Sequence, residues 1–153
     1  MRKLTTAVAI VVASVTVAAA ASAGGEAAKQ RVAIQGQGSV FTLQPLGDGG
    51  LQSDRGSSSF CCWTTRSVVR DGQAVDITTG PQMTLVGRHG TLVARNRMEW
   101  LAVSGGYSLF TGTWEVVRGT GDYAGVTGGG RVAGVELPNG VVKWRREGLL
   151  APR

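Results

Sequence analysis

The sequence predicts an all-β protein: one antiparallel β-barrel of eight strands that follows a cleaved leader peptide. Two observations carry this prediction. Apolar residues recur at every second position in the long segments, as in strands with one buried face. Turn residues separate successive segments so closely that the crossovers of a parallel sheet do not fit between them. A long antiparallel sheet either closes into a barrel or splits into a sandwich, and we favour the barrel.

Residues 1–23 have the pattern of a secretory signal peptide. Arg2 and Lys3 precede an uncharged run of mostly Ala and Val, which ends in the small residues Ala21-Ser22-Ala23. We expect cleavage after Ala23 and a secreted protein, with no membrane contact afterwards. An uncleaved anchor is the alternative, and the weak hydrophobicity of Ala disfavours it.

The charge of the remaining chain argues against nucleic acid as a partner. Loss of Arg2 and Lys3 lowers the formal net charge from +6 to +4, because none of the 10 acidic residues lies in the leader. The one tight cluster of the remaining basic residues is Lys143, Arg145 and Arg146, which we interpret as a solvated outer face, whereas nucleic-acid binding typically uses a basic stripe.

The first half of the domain is predicted to consist of short strands. Residues 24–38 are polar and Gly-rich, so we expect a flexible lead-in with room for one short strand at 32–34. The barrel domain is assigned to residues 39–150. Strands are predicted at 39–44, 57–63, 66–70, 73–78 and 82–86. Asp71-Gly72 is typical of a hairpin turn, and Gly80-Pro81 should break the chain.

Two long strands are predicted next. In residues 91–103 the even positions hold five apolar residues and one Asn, while the odd positions include Arg95, Arg97 and Glu99. A helix would scatter these charges around its axis, so the pattern favours a strand. Residues 107–118 repeat the alternation.

The last two strands are predicted at 131–137 and 141–149, on either side of the turn Asn139-Gly140. The apolar positions of all predicted strands define an expected core. Its members are Phe41, Leu43, Leu92, Met98, Trp100, Phe110, Trp114, Val116, Val142 and Trp144.

The connection after the strand 107–118 holds the most informative motif. It contains Gly119, Thr120, Gly121, Tyr123, Gly125 and Gly128. Such spacing predicts a sharp reversal with several positive φ angles, which glycine adopts readily. Tyr123 should plug the end of the core above this turn. A dinucleotide-binding loop would need a helix after the first glycines, and the Gly-rich residues 126–130 cannot continue one.

This motif resembles that of the allene oxide cyclase and dirigent superfamily of small β-barrels, in its secreted bacterial branch. The resemblance covers residues 91–149 and implies an eight-stranded antiparallel barrel with a central cavity. In the plant families such a barrel binds a hydrophobic substrate or radical and steers its cyclisation or coupling. The matching residues are turn and packing residues, so catalytic residues stay unknown.

A small apolar molecule bound in the cavity is therefore the expected ligand. The candidate cavity residues are Asn96, Met98, Trp100, Phe110, Trp114 and Trp144. Asn96, on the apolar face, must be hydrogen-bonded if buried, either structurally or to a ligand. Two other functions stay open: a dirigent-like or cyclase-like isomerase, and a ligand-free interaction protein of the envelope. The oligomeric state is also open.

Neither a cofactor nor a metal site is expected. The sequence has one His, in the turn at His89, and two adjacent Cys, which do not make the usual zinc frameworks. Glu99 and Glu115 could act as an acid–base pair. Their parity instead favours ion pairs on the outer face, with Arg95, Arg97 or Lys143 as partners.

The sequence leaves two further questions. Arg118 and Arg146 have the parity of the apolar face, and we expect both to reach the rim because they lie near predicted strand ends. Cys61 and Cys62 are either buried or free thiols, which we favour, or a vicinal disulfide, or a bridge to a second molecule.

Overall fold

The computed structural model describes residues 28–151, so the predicted signal peptide and residues 24–27 lie outside the described residues. Nine strands make up most of this range. They are β1 (Gln30–Gln37), β2 (Val40–Leu46), β3 (Asp54–Cys61), β4 (Thr64–Arg70), β5 (Gln73–Gly87), β6 (Thr91–Val103), β7 (Tyr107–Gly119), β8 (Thr127–Glu136) and β9 (Val142–Ala151). Short 3₁₀ turns at Ser104–Gly106 and Gly121–Tyr123 are the helical elements of the described chain.

Eight of the strands close into an antiparallel barrel, which confirms the predicted fold class. The sheet order is β3-β2-β1-β9-β8-β7-β6-β5-β4, and pairing between β3 and β5 closes the ring. Strand β4 pairs with the first half of β5 and extends beyond the ring as a hairpin. Within residues 28–151, no helix is long and apolar enough to cross a membrane.

The short strand expected at 32–34 is part of a longer strand, so residues 30–37 belong to the barrel and not to a flexible lead-in. These residues form β1, which is paired with β2 on one side and with β9 on the other. Val32 and Ile34 are buried in the core. Gln30 is also buried, and its side-chain amide is hydrogen-bonded: it donates to the carbonyl of Gly47 and accepts from the N–H of Leu51. Because Gln30 is polar, hydrophobic alternation did not predict that the strand begins here.

The predicted break at Gly80-Pro81 is instead a bulge within one strand. The pairing of β5 with β6 shifts register between Thr79 and Gln82 but continues on both sides. Gly80 has φ +79°, which a bulge can require and glycine tolerates. Because of the bulge, even-numbered residues of β5 face inward before it and odd-numbered residues face inward after it. Thr78 thus pairs with Met98, and Met83 pairs with Ala94, both on the inner face of β6.

The core contains every residue of the predicted set, with Trp100, Val116 and Val142 partly buried. Large side chains lie opposite glycines inside the barrel. Gly134 faces both Phe110 and Trp144 across the neighbouring strands. A Cβ atom at Gly134 would overlap the Phe110 ring and the Lys143 carbonyl. The glycines of these strands therefore make the room that the aromatic rings occupy.

One end of the barrel is closed. Tyr123 of the Gly-rich turn is 2% exposed, and Leu51 and Val126 are buried beside the core. Gly121 and Gly125 have φ of +60° and +73°, as the predicted reversal requires. The turn is fixed to the preceding hairpin, because Asp122 donates its N–H to the carbonyl of His89 over 2.8 Å.

Candidate functional site

The opposite end of the barrel is open and contains a cavity of about 530 Å³. It lies beneath the β1–β2, β6–β7 and β8–β9 turns, with the β4–β5 hairpin along one side. Aromatic rings dominate the walls: Phe60, Trp63, Trp100, Phe110 and Trp144. A ligand could enter between these turns without unfolding the barrel.

The strand register arranges the cavity in layers. Nearest the mouth, Ser108, Glu136 and Val142 lie opposite one another. The next layer holds Trp100 and Phe110 on paired positions, with ring centroids 4.3 Å apart. The outer half of the cavity is therefore an aromatic slot with polar groups at its opening.

The floor of the cavity holds a buried cation, Arg146. This residue is 1% exposed, and its Nη2 donates a 2.9 Å hydrogen bond to Oδ1 of Asn96. Its guanidinium carbon lies 4.6 Å from the centre of the Trp144 ring and 5.8 Å from that of Phe60. Burial lowers the pKa of Arg146 to about 9. Because this pKa is still above 7, the side chain stays protonated at neutral pH.

The rim position expected for Arg146 was wrong. β9 continues to Ala151, so Arg146 lies in the middle of the strand and opposite Val132. Its parity, shared with Trp144, is the signal that should have placed it inside. Arg118 is exposed, as a rim position requires.

The predicted cavity residues divide into two groups. Met98, Trp100, Phe110 and Trp144 line the cavity. Asn96 lies below it as the acceptor for Arg146. Trp114 is buried deeper in the barrel, where its indole N–H donates to the carbonyl of Arg131 over 3.1 Å.

The remaining lining residues come from a part of the chain without strong alternation. Phe60 and Trp63 flank the two cysteines, and Thr65, Asp76 and Thr78 belong to the β4–β5 hairpin. Asp76 and Thr78 share the inner face with Met83 only because the bulge in β5 changes the parity of that strand, which the sequence pattern does not reveal.

Cys61 and Cys62 form a vicinal disulfide, the second of the three predicted alternatives, so the favoured thiol state was wrong. Cys62 has φ +65°, and the chain leaves β3 here to begin β4. The bonded pair therefore sits between Phe60 and Trp63 at the edge of the cavity.

The other titratable candidates lie outside the cavity. Glu115 is 3.6 Å from Arg95, as predicted, whereas Glu99 pairs with Arg70 over 2.8 Å. His89 is partly exposed, and its Nδ1 lies 3.2 Å from Asp122. Within residues 28–151 no group of three His, Cys, Asp or Glu side chains could hold a metal ion.

A second, shallow concavity of about 1030 Å³ crosses the outer surface of β1, β2 and β9. Its charged side chains, such as Arg55, Arg88 and Lys143, are exposed to solvent. It lacks the buried polar group that distinguishes the cavity at the open end.

No family model matches the chain, and neither the curated proteins nor the solved structures searched contain a match.

Proposed function

We propose that the protein binds a small apolar molecule in the cavity at the open end of the barrel. The observation that carries the proposal is the aromatic-walled cavity itself. Its volume of about 530 Å³ falls within the range of roughly 300–1,000 Å³ that small-molecule sites occupy.

The barrel supports this function because it holds the cavity walls on paired strands. Trp100 and Phe110 are neighbours across β6 and β7, and Trp144 occupies the corresponding layer of β9. Side chains positioned in this way lose little further conformational freedom when a ligand binds, which favours affinity.

The proposal includes the compartment, since we propose that the protein is secreted. The signal-peptide pattern favours export, and a disulfide between Cys61 and Cys62 is in keeping with an oxidising compartment. The Gly-rich turn resembles that of the allene oxide cyclase and dirigent superfamily, whose barrels bind hydrophobic molecules. An isomerase of this fold is the alternative, and it predicts conversion of the bound molecule.

The test is a fluorescence titration with N-phenyl-1-naphthylamine, a neutral apolar probe. Ser108 and Leu109 are adjacent on β7, but Ser108 lines the cavity while Leu109 is exposed outside it. Ser108→Trp should fill the mouth and weaken probe binding about ten-fold or more. Leu109→Trp, the matched control, should bind like the wild type. Absence of probe binding, or equal binding by the two variants, would reject the proposal.

A further inference from the structure

The floor of the cavity holds donors that nothing in the described chain satisfies. Nε and Nη1 of Arg146 are buried and have no hydrogen-bond partner, although Nη2 is bonded to Asn96. One layer above, the indole Nε1 of Trp144, on whose ring the guanidinium packs, is buried and unpartnered as well. Buried polar groups in native proteins are nearly always hydrogen-bonded, so these atoms need an acceptor.

The charge of Arg146 also lacks a counterpart. Asp76 and Glu136 line the same cavity, but among the described residues no carboxylate forms an ion pair with Arg146. Asp76 lies in the layer above Arg146 and accepts a hydrogen bond from Ser67. A buried cation is stable when it is paired with an anion and hydrogen-bonded to it. Asn96 supplies a hydrogen bond to this cation but no charge.

The layers of the cavity define the shape of the missing partner. Its deep end is cationic at Arg146, while its middle layer holds the rings of Trp100, Phe110 and Trp144, with the exposed Asp76 at one side. Resting on the proposed function, we propose that the ligand is a small apolar carboxylic acid, which enters with its carboxylate first and binds Arg146 at the floor. The aromatic slot then encloses the apolar body.

A carboxylate suits this cation better than a neutral polar group does. Each unpartnered N–H of the guanidinium can donate a charge-assisted hydrogen bond to a carboxylate oxygen, and such bonds are about twice as strong as neutral ones. Asn96 and Trp144 act as positioning residues, because the first accepts from Nη2 and the second packs on the face of the guanidinium. The two together orient Nε and Nη1 for the ligand.

The test compares two ligands that differ in charge and little else, 2-naphthoate and 2-naphthamide. Both would displace N-phenyl-1-naphthylamine from the cavity near pH 7, where the acid is ionised. We expect 2-naphthoate to bind the wild type about 10- to 100-fold more tightly than 2-naphthamide, as a charge-assisted contact predicts. Equal affinities would overturn the inference.

Two variants test whether Arg146 causes the preference for 2-naphthoate. Arg146→Met should abolish the preference for 2-naphthoate while still binding 2-naphthamide. Arg145→Met is the matched control, because Arg145 is exposed on the outer face of the same strand and should leave the preference intact. A preference retained by a folded Arg146→Met variant would overturn the inference.

A measurement on the wild type covers the case in which Arg146→Met does not fold. With ¹⁵N-labelled arginine, the Nε resonance of Arg146 should shift on addition of 2-naphthoate and not of 2-naphthamide. The resonance is assigned by its absence from the Arg146→Lys spectrum. An unchanged Nε resonance at saturating 2-naphthoate would overturn the inference.

The two proposals fail in different ways. If N-phenyl-1-naphthylamine binds but 2-naphthoate shows no advantage over 2-naphthamide, the carboxylate is wrong and the apolar site stands. If the neutral probe and 2-naphthamide do not bind while isothermal titration calorimetry shows that 2-naphthoate does, the site recognises anions and the apolar function is wrong. If no compound binds, both proposals are wrong.

Discussion

The hydroxyl of Tyr123 donates a hydrogen bond of 2.8 Å to Oδ2 of Asp54, 69 residues earlier in the chain. The same carboxylate accepts the N–H groups of Arg55, Arg88 and His89 at 2.7, 2.8 and 3.3 Å. Asp54 therefore joins the start of β3, the β5–β6 turn and the Gly-rich turn after β7. This junction closes one end of the barrel, as the aromatic cavity opens the other.

Tyr123→Phe should lower the free energy of unfolding by about 2 kcal/mol near pH 7, because it removes a buried hydrogen bond to a charged acceptor. The ring remains, so core packing is preserved. Urea denaturation followed by Trp fluorescence measures the change. Tyr107→Phe, at an exposed tyrosine, is the control and should change stability by less than about 0.5 kcal/mol. A Tyr123→Phe variant as stable as the wild type would contradict this assignment.

Asp54 should make the stability of the protein depend on acid pH. Burial by itself would raise the pKa of Asp54, but the hydrogen bonds from the Arg88 N–H and the Tyr123 hydroxyl outweigh it and hold the pKa below the usual 3.8. The stability that Asp54 contributes is thus complete above the unfolded pKa and is lost as pH falls through the folded one.

Asp54→Asn should therefore destabilise the protein at neutral pH and flatten the decline of stability below about pH 4. Urea midpoints measured between about pH 5 and pH 2 test both effects. Asp48→Asn replaces an exposed loop carboxylate and should leave the slope unchanged. The prediction fails if Asp54→Asn and the wild type lose stability in parallel on acidification.

Gly134→Ala should destabilise the barrel by about 1–3 kcal/mol, because the new methyl group meets the Phe110 ring inside a packed core. Adding Phe110→Leu should restore part of the loss, since it withdraws ring atoms but not the Lys143 carbonyl. A double-mutant cycle of thermal or urea denaturation measures this coupling. Additive effects would show that the two positions do not share the space.

The vicinal disulfide should affect ligand binding more than stability. It closes a minimal loop, so replacing both Cys61 and Cys62 with Ser should cost about 1 kcal/mol or less in unfolding free energy. The segment between Phe60 and Trp63 would gain freedom, and we expect weaker binding of N-phenyl-1-naphthylamine. Reduction of the wild type should reproduce the effect. If the affinity for the probe is unchanged in both cases, the prediction that the disulfide shapes the cavity is wrong.

Hydrophobic alternation predicted the elements whose one face is packed against the core. The even positions of β6 from Leu92 to Trp100 and of β7 from Phe110 to Val116 are on the inner face, and the period of two repeats there without interruption. The Gly-rich motif predicted the turn that buries Tyr123, because its backbone angles are accessible chiefly to glycine. These features depend on local sequence, which is why they could be predicted.

The features that escaped prediction depend on partners far along the chain. β1 is polar at Gln30 and Gly-rich at its end, and its place in the sheet comes from pairing with β2 and β9. Asp54 has no sequence signal, since its partners come from two distant turns. Arg146 was misplaced because it lies near the end of its predicted strand, whereas β9 continues to Ala151 and Asn96 and Trp144 hold the side chain inside the barrel.

The pairing of β1 with β9 sets a condition on how the chain can fold. The first strand of the barrel lies beside the last, and their register joins Gln30 to Leu150. Until the ten residues of β9 have left the ribosome, β1 and β8 each present an unpaired edge, and contacts of such long sequence separation form slowly. The barrel can therefore close only after β9 is available, and until then the strands that precede it form a sheet with two open edges.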